Sequence, residues 1–325
     1  MVDVSNIGKG LVADPIDARD FKAEAIMGAV LLPAEYEVLQ GINLPVEGQG
    51  SSSSCTGQAG HKYAEVLDFI ENNKVPDLSA KSLYSQIYLP QGGAYLRDVM
   101  KLIVSFGVAL ESDVPSYIAG VNGRMEVPTE PFMRDTAFLA NQQIVARAKT
   151  YRAKSYAMVE SKSFDFIKQA IYQNTGCLVG FNGDNAGWNN AIIKPPVSVE
   201  WGHAVYAKGW KFINGKEYLI IQNSWGKDWG DNGIGYIGRD YFQNLDNVLN
   251  PWTILDNPNQ EKMKFIRQPG GKNVYQIVDG VRYHVSGPTS LMHLQNASGV
   301  PITEEDIYKY KYGGRIMADN ADDPK

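Results

Sequence analysis

The chain has few cysteines and no long apolar run. Its 325 residues include only two cysteines, Cys55 and Cys177, and four scattered histidines. Two distant cysteines exclude the disulfide framework of a small secreted scaffold. No His or Cys spacing resembles a zinc site, so we expect no structural metal and no cofactor. No stretch approaches the length needed to span a membrane.

An excess of basic residues is also missing. Lys and Arg number 31 against 36 Asp and Glu, which gives a formal net charge of −5. Such a chain has no positive field to attract nucleic acid or an anionic membrane, so neither is expected as a partner. The first residues lack the basic and apolar segments of a secretory signal, which with the scarcity of cysteine favours a cytoplasmic or virion-associated location.

Apolar spacing changes from helical to strand-like along the chain. Apolar side chains recur at helical spacing from Cys55 to about Asn72 and from Ala94 to Phe106, which predicts two core helices. Ala204 to Phe212 and Tyr218 to Ile221 are strand-like, and Asn214-Gly215 between them is typical of a hairpin turn. Helices early and antiparallel strands late predict an α+β, two-lobed domain with a cleft between a helical and a β lobe.

Three segments make up the predicted domain organisation. Residues 1–31 form an extended N-terminal arm broken by prolines, residues 32–257 the two-lobed domain, and residues 258–325 a small, mostly β C-terminal module. A polar linker is predicted at 256–262, and Asn273 to Val285 predicts a hairpin. The tyrosines of the module fit either the packing of a small β core or a surface for a protein or polymer partner; they are Tyr275, Tyr283, Tyr308, Tyr310 and Tyr312.

Cys55 opens the first predicted helix. A thiol at a helix N-terminus beside a histidine has its pKa lowered by the helix dipole and by the imidazolium. His203 precedes one predicted strand and Asn223 ends the next, so a hairpin would bring the Asn223 amide to the His203 ring and fix its tautomer. Taken singly, each feature also fits a structural interpretation. Cys55 fits a core residue, His203 a structural histidine, and the Asn-Ser-Trp-Gly segment at Asn223 a simple turn.

Together these segments resemble the papain family of cysteine peptidases. Gln49 to Cys55 is similar to the nucleophile motif of that family, Gly202-His203-Ala204-Val205 to its histidine motif, and Asn223 to Gly233 to its asparagine motif. The resemblance implies a papain-like fold in which Cys55 is the nucleophile and His203 its base and acid. It also implies that Asn223 orients His203 and that Gln49 is an oxyanion donor.

The resemblance extends to peptide binding and to location. Gly92 and Gly93 stand where the family holds an extended peptide by its backbone, and Gly202 and Trp225 complete the set of candidate substrate-binding residues. Plant and lysosomal members form a disulfide near the nucleophile, where this chain has Ser52 and, by alignment, Pro90. The absence of this disulfide is consistent with a reducing compartment and with a bacterial or phage-type member of the family.

The function implied is that of a cysteine endopeptidase acting on a protein or peptide substrate through a thioester. Two alternatives stay open. One is a thiol amidase or transpeptidase acting on peptidoglycan or isopeptide links, and the other a catalytically silent binding or virion structural protein of the same fold.

Three further expectations concern single features. Only 54 residues precede Cys55, too few for the long helical propeptide of the family, so the arm or the C-terminal module is a candidate cover for the cleft. His61, about 240° around the helix from Cys55, is predicted to be a surface or groove residue. Cys177 is predicted to belong to the core.

Overall fold

The computed structural model describes residues 3–25, 27, 30, 32–42, 44–119, 125–126, 128–255, 264–278, 281–285, 302–309 and 311–316. They form two compact units, one of residues 1–21 and 34–256 and one of residues 22–33 and 257–325. Residues 22–33 thus group with the C-terminal unit, while the predicted domain boundaries at residues 31 and 257 stay a prediction. The predicted linker at 256–262 lies outside the described residues. Within the described ranges no helix is long and apolar enough to cross a membrane.

The first half of the larger unit is helical. Its helices are α1 (Cys55–Asn72), α2 (Ala80–Tyr84), α3 (Leu96–Ser105), α4 (Glu130–Met133), α5 (Gln142–Ala148) and α6 (Phe164–Asn174). Gly60 lets α1 approach α3, since a Cβ there would lie less than 3.0 Å from the Val99 side chain. The helix ends at Asn73, whose left-handed backbone (φ 55°) donates its N–H to Phe69 O.

The second half of this unit is dominated by one eight-stranded sheet. Its strands are β1 (Tyr36–Glu37), β4 (Tyr156–Met158), β5 (Cys177–Gly183), β6 (Ile192–Ile193), β7 (Trp201–Ile213), β8 (Lys216–Gln222), β9 (Ile234–Gly238) and β10 (Val248–Ile254). The order is β4-β10-β5-β7-β8-β9-β6, with β1 on β7. Every pairing is antiparallel except that of β6 with β9. A separate pair is formed by β2 (Ile118–Ala119) and β3 (Met125–Glu126).

The predicted α+β architecture is confirmed. The hairpin turn between β7 and β8 has both its residues, Asn214 and Gly215, at positive φ, as a tight hairpin turn requires. Tyr63 of α1 ties the helix to the sheet side, because its buried hydroxyl donates to Asn174 O at 2.7 Å and accepts from Ile254 N at 3.1 Å. Cys177 is buried at the start of β5, in agreement with its predicted place in the core.

The C-terminal unit contains a five-stranded sheet. Its strands are β11 (Lys264–Arg267), β12 (Val274–Val278), β13 (Val281–Val285), β14 (Ile302–Glu304) and β15 (Lys311–Ile316), in the order β14-β11-β12-β13-β15. The predicted hairpin is present as the antiparallel pair β12 and β13, whose turn at residues 279–280 lies outside the described residues. Ile266, Ile277 and Ile307 form the small core, and Tyr275 packs against it.

Candidate active site

Cys55 is the first residue of α1 and is completely buried. The Ser54 side chain, at the N-cap position, makes no capping hydrogen bond to the helix. The first N–H groups of α1 therefore stay uncapped at the end of the helix where Cys55 lies. The backbone amides of Ala204, Thr56 and Gly10 lie close enough to the thiol to favour its ionised form. The sequence therefore folds so that the cysteine lies at the positive end of a buried helix.

His203 and Asn223 meet at the ends of two paired strands. His203 lies on β7, which pairs with β8, and Asn223 directly follows β8. The His203 Nε2 and Asn223 Oδ1 atoms are 2.7 Å apart, so the amide accepts the ring N–H. Trp225 covers this bond, with its ring centroid 4.6 Å from that of His203. Nδ1 of His203 has no hydrogen-bond partner among the described residues.

Gln49 lies buried between the cysteine segment and the asparagine segment. Its Oε1 accepts the Ser224 hydroxyl at 2.6 Å, and its backbone N–H donates to Ser224 O at 2.7 Å. These bonds fix the amide so that Nε2 donates to Ser52 O and to Gly8 O, both at 2.9 Å. The second acceptor is a carbonyl of the N-terminal arm.

The arm fills the cleft with residues 8–12, here called the cleft segment. The Gly8 N–H donates to Gly50 O at 2.7 Å, and the Leu11 N–H donates to Gly202 O at 3.1 Å. On the opposite wall, Ala94 donates its N–H to Gly10 O at 2.8 Å and accepts the Val12 N–H at 3.2 Å. The cleft segment is thus bonded to both walls as an added strand, which supports the hypothesis that the arm covers the cleft.

Glycine permits this close fit. A Cβ at Gly8 would lie less than 3.0 Å from Ser52 O, and one at Gly10 less than 3.0 Å from Ser53 O. The cleft wall is equally tight, since a Cβ at Gly93 would overlap Gly10 O, and Gly93 also has φ +78°. Larger residues at these places would push the segment away from the thiol.

Burial under the arm decides the charge state of the candidate pair. Burial raises the pKa of the Cys55 thiol to about 12, although the surrounding amides oppose the rise. Burial likewise lowers the pKa of His203 to about 3, against the favourable hydrogen bond to Asn223. With the cleft segment in place both groups are therefore neutral at pH 7.

The candidate peptide-binding residues line this cleft. Gly93 and Gly202 border the cleft segment directly, and Gly92 lies beside Ser53 at φ +94°. Trp225 lies against the His203 ring, and its ring centroid is 5.5 Å from the Lys9 Nζ atom. All eight proposed site residues lie at or next to the cleft, and their roles stay predictions.

The sequence model of the papain family cysteine proteases matches residues 33–247. The chain belongs to the papain family. It is 25% identical over 215 residues to a cysteine protease of Blomia tropicalis, covering 64% of this chain and 62% of the relative. It is 26% identical to a viral cathepsin of Heliothis zea nuclear polyhedrosis virus, covering 60% of this chain and 49% of the relative. The chain thus spans about half to three fifths of the length of these two relatives.

Solved structures share the papain-like fold. Xylellain, a cysteine protease from Xylella fastidiosa, superposes with a TM-score of 0.62 at 23% identity, covering 77% of this chain and 96% of xylellain. A Carica candamarcensis cysteine protease in complex with E-64 superposes with a TM-score of 0.52 at 20% identity, covering 70% of this chain and all of that one (100%). At these identities the likeness concerns the fold.

Several residues that shape the papain-family cleft here were not identified from the sequence. Ala94, rather than Gly92 or Gly93, makes both backbone bonds to the cleft segment. A Cβ at Gly180 would lie less than 3.0 Å from the Leu11 side chain, so this glycine leaves room for it, and Leu249 lies beside both Gly180 and Gly202. No periodicity marks these positions, but the Gly-Lys-Gly run before Leu11 was a signal that the arm approaches another backbone closely.

The prediction that His61 is a surface or groove residue is wrong. The side chain is 2% exposed, and its Nε2 lies 3.8 Å from the Glu47 carboxylate. Lys62 lies beside it, 3.1 Å from Glu47 and 2.5 Å from Glu65. Helical spacing could not reveal this because Glu47 comes from the segment before the helix.

These four residues form an ion cluster. Glu47, His61 and Glu65 bring ligand-type atoms within 4.8 Å of one another, as a metal site would. The Lys62 ammonium bonds both carboxylates, so the positive charge that a metal would supply is already provided by the chain.

Proposed function

We propose that this papain-family chain is a cysteine endopeptidase that hydrolyses protein or peptide substrates through Cys55. The observation that carries the proposal is the hydrogen bond from Gln49 Nε2 to Gly8 O. The Gln49 amide, which we assign as a donor to the oxyanion, thus already binds a peptide carbonyl in the cleft that holds the thiol. Preorganised donors of this kind supply much of the catalysis of acyl transfer.

The reaction proceeds by nucleophilic attack. The Cys55 thiol transfers its proton to His203 Nδ1, and the thiolate sulfur bonds to the substrate carbonyl carbon. Gln49 and the Cys55 backbone N–H stabilise the oxyanion, and His203 then donates its proton to the departing amine. Water hydrolyses the thioester with His203 as base. Asn223 holds the imidazole in orientation throughout, and Trp225 shields their hydrogen bond.

The arm must leave the cleft before the reaction can begin. In the docked state Cys55 is inaccessible, and burial keeps both reacting groups neutral. Removal of the cleft segment would return water to the thiol, so its pKa would fall and the thiolate would form at a helix N-terminus. We therefore include in the proposal that the arm is an intramolecular inhibitor.

The direction of the cleft segment makes it a poor substrate. Its N-terminal part, at Lys9, lies by Trp225 and His203, and its C-terminal part, at Val12, lies by Ala94. In a substrate the C-terminal part carries the amine that His203 must protonate. The segment therefore runs opposite to a substrate, which fits a covering role.

The test is covalent labelling of the full chain by a peptidyl electrophile selective for activated thiols, mapped by mass spectrometry. We expect one adduct on Cys55, none in Cys55→Ala, and a large loss in His203→Ala, with Cys177 unlabelled. Gln49→Ala is expected to lower kcat by about 10²–10³-fold. Unchanged turnover in Gln49→Ala would contradict the oxyanion role.

A substrate panel separates the alternatives. Peptides, isopeptide-linked peptides and peptidoglycan stem peptides are offered to the same chain, and the proposal expects cleavage of internal bonds in ordinary peptides. The neutral docked pair is the observation that favours a catalytically silent binding protein. That second candidate gains support if Cys55 stays unlabelled even when variants displace the cleft segment.

A further inference from the structure

The cleft segment leaves one charged side chain in a pocket beside the catalytic pair. The Lys9 Nζ atom lies 5.4 Å from the Trp201 ring centroid and 5.5 Å from that of Trp225. It donates to Asn185 Oδ1 at 3.4 Å and also to Val4 O. Two indole rings and amide oxygens are surroundings that attract an ammonium group.

A carboxylate completes the surroundings. Burial lowers the pKa of Lys9, and the negative charge of Glu200 acts in the opposite direction to favour the ammonium form. Glu200 is exposed, so its attraction acts at the rim of the pocket. Indole rings line the pocket and an acidic group stands at its edge.

The pocket is built by the protease domain and does not depend on Lys9. Trp201 Nε1 donates to Asn185 Oδ1 at 3.1 Å, and the Asn185 N–H donates to Glu200 Oε2 at 3.2 Å. The Glu200 N–H in turn donates to Gly183 O at 2.9 Å. These bonds join the three residues to one another and, through the Glu200 backbone, to strand β5. After the arm leaves, another cation would therefore meet the same indole rings, Asn185 Oδ1 and Glu200, although not Val4 O, which belongs to the arm.

The pocket lies on the leaving-group side of the thiol. The Trp225 and Trp201 ring centroids are 4.6 and 6.2 Å from that of His203. His203 protonates the departing amine in the proposed reaction, so the residue that carries this amine must lie beside it. The acyl part of the substrate then extends along Ala94 and the Leu11 position.

We propose that Trp201, Trp225, Asn185 and Glu200 form a cation-binding subsite that selects lysine directly after the scissile bond. The subsite rests on the proposed peptidase function and adds a substrate class to it: peptides with a lysine on the leaving-group side. In the docked state the chain fills this subsite with its own Lys9.

The first test measures how much the subsite attracts a lysine. Lys9→Met in the full chain keeps the length of the side chain and removes its charge, and Lys101→Met on an exposed face of α3 is the matched control. The rate of Cys55 labelling is expected to rise roughly tenfold in Lys9→Met, because the cleft segment loses its cation contacts. The control should label like the unchanged chain. Equal rates in all three chains would overturn the subsite.

The second test measures selection among substrates. The Lys9→Met chain is offered three fluorogenic peptides with leucine and glycine before the scissile bond, in the places of Leu11 and Gly10. The residue after the bond is lysine, norleucine or glutamate. We expect kcat/KM to be about tenfold higher for lysine than for norleucine, and lowest for glutamate. Glu200→Gln in the same chain should reduce the ratio of lysine to norleucine.

The outcomes separate this inference from the proposed function. Cleavage with equal kcat/KM for lysine and norleucine overturns the subsite and leaves the peptidase intact. Labelling of Cys55 without cleavage of any of the three peptides also counts against the subsite, because the peptides match the other cleft walls. If no variant shows either labelling of Cys55 or cleavage of a peptide, the proposed peptidase function itself is overturned.

Discussion

Two histidines of the larger unit are similarly buried but stand in different electrostatic surroundings. His203 is 0% exposed, its hydrogen-bond partner is the neutral amide of Asn223, and burial lowers its pKa to about 3. His61 is 2% exposed. Burial opposes its charge too, but Glu47 and Glu65 outweigh burial and raise the pKa.

The two histidines show that burial suppresses the charge of a side chain only where no opposite charge accompanies it. In the ion cluster, Lys62 and His61 face Glu47 and Glu65, so positive and negative groups balance. In the covered cleft, burial acts on the thiol among neutral backbone amides and on the imidazole beside the neutral Asn223 amide, and the Lys9 ammonium also lowers the pKa of the imidazole. The candidate pair, Cys55 and His203, therefore depends on access to water for its charge, whereas the ion cluster does not.

The largest expected effect comes from breaking the charge balance of the ion cluster. Lys62→Met would leave Glu47 and Glu65 without their shared ammonium, and removing one partner of a buried ion pair costs about 3–5 kcal/mol. The free energy of unfolding is measured by denaturant titration. Lys101→Met, on the surface, should change it by no more than about 0.5 kcal/mol. Equal losses in the free energy of unfolding of the two variants would show that Lys62 does not stabilise the two buried carboxylates.

Next in size is the displacement of the cleft segment. Gly10→Val places a side chain where Ser53 O leaves no room, so the segment should undock and the thiol pKa should fall from about 12 toward its ordinary value. Labelling of Cys55 at neutral pH is expected to accelerate about 100-fold or more, given an ordinary thiol pKa near 8.5. Ile16→Ala, at a fully exposed arm position, is the control. A Gly10→Val chain as slow as the control would mean that the segment does not limit access.

A smaller effect concerns the anchor of the arm at Asp14. Its carboxylate accepts from Trp252 Nε1 at 2.7 Å and from the Arg97 N–H at 3.3 Å, yet burial raises its pKa to about 6. A raised pKa in the folded chain contributes stability that is present below the unfolded value and lost as pH rises through about 6.

The measurement is the free energy of unfolding at pH 4 and pH 7 in the unchanged chain and in Asp14→Asn. We expect the unchanged chain to lose about 1–3 kcal/mol relative to the variant over this range. Parallel pH profiles for the two chains would rule out Asp14 as the source.

The smallest effect separates the two histidines directly. His61→Gln removes an imidazolium but leaves Lys62 with both carboxylates, so a loss of only about 1 kcal/mol is expected at low pH. Because the pKa of His61 is raised, its contribution is complete below about 6.5 and disappears as pH rises through the folded value. NMR titration should show His61 charged at a pH where His203 is neutral. Identical titration of the two rings would contradict the comparison.

Local patterns predicted the elements that hold the site. The apolar spacing after Cys55 predicted α1 with its start at the nucleophile, and Asn214-Gly215 predicted the hairpin that brings His203 and Asn223 together. Short-range geometry suffices here, because helix period and turn conformation are properties of neighbouring residues. The order of the Cys, His and Asn motifs indicated the papain family, to which the chain belongs.

Contacts between distant segments escaped the same reasoning. Glu47 reaches His61 and Lys62 from outside the helix, so helical spacing alone placed His61 at the surface or in a groove. Ala94 makes two backbone bonds to the cleft segment, although nothing in the sequence marked this residue, and substrate binding by Gly92 and Gly93 stays a prediction. Such positions depend on which backbone passes nearby, and a periodic pattern contains no such information.

Local sequence patterns were enough to predict the α+β elements, the position of Cys55 at a helix start and the pairing of His203 with Asn223. The three-dimensional packing was needed to see that residues 8–12 fill the cleft, that Lys9 lies near the rings of Trp201 and Trp225, and that burial keeps the candidate pair neutral. The physical reason is that element formation depends on neighbours in the chain, whereas burial and charge state depend on every segment that excludes water from a group.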